Sequence, residues 1–111
     1  MEVRRDDGEL CGHVDEVDGT WAARTVFGAV LGTHDGQQAA VDQVLGEGLA
    51  SLTARWTLRN GATGEEEVVC IQEANPARVT VALGYYSLPG VPSRTITVDQ
   101  LAAGEWELHP A

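Results

Sequence analysis

Apolar and polar residues alternate with a period of two over most of this chain and change to a period near 3.6 once, in its middle. Three dipeptides, Asp7-Gly8, Asp18-Gly19 and Asn60-Gly61, are of the kind that closes a tight hairpin with positive φ, so strands are expected on both sides of each. The first two define a meander over Glu2 to Asp6, Glu9 to Val17 and Thr20 to Leu31. In the second strand Leu10, Gly12 and Val14 share one face, while Cys11, His13 and Asp15 share the other. The third strand carries Trp21, Ala23, Thr25 and Phe27 on one side. It then runs apolar from Val26 to Leu31 except at Gly28, which predicts burial on both faces or a bulge at that glycine.

Between Asp35 and Thr53 the helical period takes over. Val41, Val44, Leu45, Gly48, Leu49 and Leu52 form an apolar stripe, with Gln37, Asp42, Gln43, Glu47 and Ser51 mostly opposite. Asp35 and Gln38 have the spacing of a capping box. Gly48 inside the stripe weakens a helix by roughly 1 kcal/mol relative to alanine, and close approach of the backbone to a sheet is a reason to keep it there.

Alternation then returns. Trp56 and Leu58 point one way, Val68 to Ile71 form a strand entered through Glu65, Glu66 and Glu67, and Asn75-Pro76 turns the chain. Val79, Val81, Leu83 and Tyr85 give the clearest alternation. Ile96 and Val98 begin a short strand, Asp99 is placed to cap one turn through Ala103, and Trp106 with Leu108 marks a last strand. The expected fold is one α+β domain over residues 1–111. It has a curved, mostly antiparallel sheet of about six to seven strands, in the order β-β-β-α-β-β-β-β, with one long central amphipathic helix on one face. A helix about 10 to 12 Å wide covers only two or three strands spaced about 4.8 Å apart. The remaining apolar face then needs curling of the sheet or a second copy of the chain, so a homodimer is one expectation.

Composition narrows the chemistry. Seventeen acidic residues against seven basic ones give a net charge of −10, which repels phosphate backbones and acidic membrane surfaces, so neither nucleic acid nor membrane is expected as a partner. Every basic side chain other than histidine is an arginine, which removes Schiff-base chemistry and the phosphate-binding lysine of a P-loop. With abundant Ala, Gly and Val, this usage matches the codon bias of a high-GC bacterial genome. No apolar run has the length of a membrane span, and the start lacks the apolar region of a secretory signal, so a cytoplasmic location is expected. Cys11 and Cys70 are too few for a disulfide framework.

Cys11 and His13, at i and i+2 on one strand face, are the only candidate metal or thiolate-imidazole pair, and they lack the further ligands zinc requires. No metal site, cofactor or catalytic constellation is therefore assigned. The carboxylate groups at Asp6, Asp7 and Glu9, at Asp15, Glu16 and Asp18, and at Glu65 to Glu67 lie at hairpin ends and read as solvated turns. In the segment Leu83 to Val98, Tyr85, Tyr86, Leu88, Pro89, Val91 and Pro92 form a compact apolar stretch. It suits either a contact surface or a plug on the open end of the sheet. The leading expectation is a protein-interaction or self-associating module using that stretch. The alternative is a protein that binds or turns over a small apolar molecule in a pocket between helix and curved sheet, lined by Trp21, Phe27, Trp56 and His13, and a third reading is an acidic inhibitor or immunity-type protein.

Overall fold

The computed structural model of the chain describes residues 1–83 and 92–111. They form an α+β protein with two antiparallel sheets, divided into two compact units, Met1–Ser51 and Leu52–Ala111.

The first unit is a four-stranded meander, β1 (Glu2–Arg4), β2 (Leu10–Val17), β3 (Thr20–Arg24) and β4 (Val30–His34), followed by α1 (Gln37–Glu47). Its turns follow local chemistry. Asp18 and Gly19 both have positive φ, 52° and 80°, the conformation of the two-residue turn that matches strand twist. The β1–β2 turn is a three-residue loop: the Gly8 N–H donates to the Arg5 carbonyl at 2.9 Å, and Gly8 takes φ 87°. The β3–β4 turn repeats that design, with Gly28 N–H to the Thr25 carbonyl at 3.0 Å and φ 91° at Gly28. The expected single strand from Thr20 to Leu31 is therefore two strands. The apolar run that suggested continuity is the turn Val26-Phe27-Gly28, whose first two side chains are buried.

In the β1–β2 turn Asp7 accepts the Glu9 N–H at 2.9 Å and pairs with Arg5 at 3.1 Å. The bond from the Glu9 amide holds its carboxyl below the ordinary value of 3.8; desolvation opposes it, and the charge and hydrogen bond of Arg5 add to the lowering. The folded state thus favours the carboxylate. Its stabilising contribution is complete above 3.8 and is lost as pH falls through the lower folded value. Carbon-detected NMR titration should find the Asp7 midpoint below that of a free aspartate; a midpoint at or above it contradicts this geometry.

Helix α1 is shorter than the period predicted. Gly36 is its N-cap and makes no side-chain cap bond, so the expected Asp35–Gln38 box is absent, and Gln38 instead donates to Asp42 at 2.9 Å. The helix ends at Glu47, and Ala50–Thr53 form a 3₁₀ turn leading into the second unit. Its buried residues are Ala40 and Val44, whereas Leu45 from the expected stripe is exposed. Ala40 and Val44 pack with Val3, Cys11, Val14 and Ala23, and Trp21, Leu31, Val41 and Leu49 flank that core.

The second unit is a five-stranded antiparallel sheet in the order β8-β7-β6-β5-β9. Its strands are β5 (Arg55–Asn60), β6 (Glu66–Ala74), β7 (Arg78–Leu83), β8 (Ser93–Thr97) and β9 (Trp106–Pro110), with the short helix α2 (Val98–Ala102) between the last two. Thr97 caps α2 in a complete capping box with Gln100, two residues earlier than the expected Asp99. Trp56, Leu58, Val69, Val79, Val81, Ile96 and Leu108 are buried and share one face by register.

One sheet of six or seven strands under one long helix is thus corrected to two sheets of four and five strands, with α1 packed on the first. The difficulty of covering one wide sheet with one helix disappears. Helix α1 contacts all four strands of its sheet.

Candidate functional site

The five-stranded sheet brings its two opposite edges into contact. Arg94 on β8 lies over the ring of Trp106 on β9, with its guanidinium carbon 4.6 Å from the ring centroid. In the strand order these residues are four spacings apart, about 19 Å in a flat sheet. They are also offset along the strands, because Arg94 pairs through Val81 to Ile71, whereas Trp106 pairs with Asn60 near Glu65. Only a strongly coiled sheet closes both distances, and α2 spans the gap by touching β8 and β9.

Coiling leaves a cleft at the end of the concave face, lined by Leu58, Asn60, Glu65, Glu66, Glu67, Arg94 and Trp106, with a volume of about 310 Å³. Each lining residue is placed by the register. Leu58 sits opposite Glu67 on β6 and opposite Leu108 on β9, and Asn60 sits opposite Trp106. The β5–β6 loop ends at Glu65 and leads into Glu66 and Glu67 at the start of β6. Asn60 accepts the N–H groups of Ala62 and Thr63 at 2.8 and 3.1 Å, and Gly64, at φ 76°, donates to the Asn60 carbonyl at 2.7 Å. Asn60-Gly61 therefore opens a four-residue loop and not the two-residue turn its composition suggested. Gly61 is required for a different reason: a Cβ there would fall on the Gly104 carbonyl oxygen, and its N–H donates to the Glu105 carbonyl at 3.0 Å. That bond ties the loop to the start of β9, and so ties the carboxylates to Trp106.

The floor of the cleft is apolar and its mouth is charged. Leu58 is buried, Trp106 half-buried, and Glu65, Glu66, Glu67 and Arg94 exposed. Among the described residues the ion pairs are Arg4–Glu2, Arg5–Asp7, Arg24–Asp15 and Arg59–Glu107, and none of them uses Arg94 or the three glutamates. Arg59, on the outer face, is held above its ordinary value by its bond to and the charge of Glu107 at 2.7 Å, with Glu66 adding to the effect. Glu66 shares the outer face with Arg59, so the cleft offers Glu65 and Glu67 as carboxylates without a fixed counter-ion beside an aromatic face, a combination suited to a cationic group.

A second groove, about 500 Å³, lies in the first unit beside Arg4, Arg5, Asp6, Asp7 and Leu45. Its two arginines are already paired with Glu2 and Asp7.

The residues singled out from sequence fall elsewhere. Tyr85, Tyr86, Leu88, Pro89 and Val91 lie outside the described residues. Pro92 is exposed, and its carbonyl accepts the Leu83 N–H at 2.8 Å. Of the proposed pocket lining, Trp21, Phe27 and His13 belong to the first unit and Trp56 to the second. Trp21 flanks the core beneath α1, Phe27 is buried in the β3–β4 turn, and Trp56 is fully buried in its own sheet face. Cys11 and His13 do not share a face. The register shifts between Val3 and Arg4, and this irregularity carries Cys11 into the core under α1, where its thiol lies 3.6 Å from the Glu9 carbonyl. His13 instead contacts the Val26 carbonyl at 3.3 Å. Among the described residues no group of three or more His, Cys, Asp or Glu is placed to hold a metal ion, and no helix is long and apolar enough to cross a membrane.

The sequence shows only part of this cleft. Glu65 to Glu67 read as a solvated strand entrance and Trp106 as part of a last strand, but nothing in either run announces that Arg94 meets Trp106. No protein family, curated protein or solved structure matches the chain.

Proposed function

We propose that this protein is a cytoplasmic, bacterial protein-interaction module that holds a basic segment of another protein in the cleft of its second unit. The observation that carries this reading is the cleft itself: the exposed carboxylates of Glu65 and Glu67, with no ion pair among the described residues, set beside the half-buried ring of Trp106. The net charge of −10 favours encounter with such a segment through long-range attraction. Leu58 supplies apolar floor for the aliphatic stem of a long basic side chain, whose charged head remains at the wet mouth.

The test is titration with a hexa-arginine peptide, followed by amide and indole NMR shifts. Binding should perturb Glu65, Glu67 and Trp106 first. It should weaken steeply as salt rises from about 0.01 M to about 0.15 M, because the screening length falls from about 30 Å to about 8 Å. Shifts spread evenly over the surface, or binding indifferent to salt, would sink the reading.

A further inference from the structure

We infer that the exposed face of Trp106 is a guanidinium seat already occupied by the chain's own Arg94, so that a partner's arginine binds by displacing it. This rests on the reading of the cleft as a site for a basic segment, and it adds both the selected group and the resident competitor.

The geometry supports each part. Arg94 approaches Trp106 from the opposite edge of the sheet, with its guanidinium carbon 4.6 Å from the ring centroid, within reach of a cation–π contact. Its side chain makes no ion pair among the described residues, although Glu65 and Glu67 line the same cleft. It is exposed, so it is free to leave at little packing cost. The stack therefore shows a cation that the ring accepts, and it shows that acceptance does not depend on a fixed carboxylate partner. A planar guanidinium lies flat on an indole and still presents N–H groups sideways, where Glu65 and Glu67 stand on the same sheet face. A lysine ammonium matches the charge but neither the stacking nor the fork. Arginine-rich segments should accordingly bind more tightly than lysine-rich ones of equal charge.

Displacement sets the size of the effect. An exposed cation–π contact corresponds to about two- to fivefold in an equilibrium, so releasing the resident group should tighten binding of the incoming one by about that factor. Arg94→Lys preserves the net charge while weakening the stack. It should therefore strengthen hexa-arginine binding by about twofold or more, an effect that charge alone does not produce.

The experiment is an NMR titration of the wild type with hexa-arginine and, separately, hexa-lysine. It follows the Trp106 indole Nε1–H and the Arg94 Nε–H signals, with affinities measured in parallel for Arg94→Lys. The inference predicts that hexa-arginine moves the Trp106 signal, that Arg94 shifts toward the position of a free arginine, that hexa-lysine binds more weakly, and that Arg94→Lys gains affinity. If hexa-arginine binds at the glutamates while the Arg94 and Trp106 signals stay still, or if Arg94→Lys leaves its affinity unchanged, the seat is overturned and the acidic cleft stands. If neither peptide binds up to about millimolar concentration, where binding free energy is only about 4 kcal/mol, the functional reading falls and takes the seat with it.

Discussion

Replacing Trp56 with alanine should destabilise the second unit by about 3–5 kcal/mol, a large part of the roughly 5–15 kcal/mol that holds a small domain together. Trp56 is fully buried and is the largest of the fully buried side chains. It stands between Val69 on β6 and Pro110 on β9, on the face shared by Leu58 and Leu108. Truncation leaves a cavity in a coiled sheet, and the strands around it are held in place by hydrogen bonds to their neighbours, so collapse into the void is limited. Urea denaturation should show a lower midpoint, and hydrogen exchange over residues 52–111 should accelerate. Trp106, on the same face four residues from the pairing level of Trp56, is only half-buried. Trp106→Ala should spare the midpoint by comparison and weaken hexa-arginine binding instead. If Trp56→Ala leaves the midpoint unchanged, Trp56 is not the anchor of this core. If it abolishes peptide binding in protein that remains folded, the division of labour between the two tryptophans is wrong.

The contrast between those tryptophans explains what the sequence discloses. Both sit in alternating runs, so both read as strand residues with one apolar face, and that much is correct. Which end of the face closes and which stays open depends on coiling, and coiling is set by the order of strands across the sheet, which alternation does not encode. Arg94 shows the same limit: its partner is twelve residues away in sequence and four strands away in the sheet. Local rules were reliable where chemistry is local. Asp18-Gly19 forms the two-residue turn that its positive φ values require, and Asn75 before Pro76 accepts the N–H groups of Ala77 and Arg78 as the turn demands. They failed where two local solutions compete. The turn at Val26 to Gly28 hides behind apolar residues, because its tip is buried. The cap of α1 fell to Gly36 because Asp35 lies one position too early.

Gly48 offers the sharpest test of packing in the first unit, because propensity and contact predict opposite signs. It ends α1 with φ −54° and ψ −55°, ordinary right-handed helical values, and its N–H donates to the Val44 carbonyl at 2.8 Å. By helix propensity alone alanine should improve that position by about 1 kcal/mol. A Cβ there, however, would fall on the Cys11 carbonyl oxygen of β2. That atom is backbone, so relief requires α1 to lift from the sheet and Val44 to withdraw from the core it shares with Val14 and Ala23. Overpacking of this kind costs about 1–3 kcal/mol, and the net effect of Gly48→Ala should be a loss of stability. Gly46 supplies the internal control. It lies two residues earlier on the same helix, is exposed, and has nothing within 4 Å of an added Cβ. Gly46→Ala should therefore gain up to about 1 kcal/mol by the propensity that Gly48→Ala cannot realise. Opposite shifts of the urea midpoint for the two variants would locate the closest approach of helix and sheet at Cys11. A gain at both positions would mean that α1 rides higher over β2, with Gly48 a helix residue like any other.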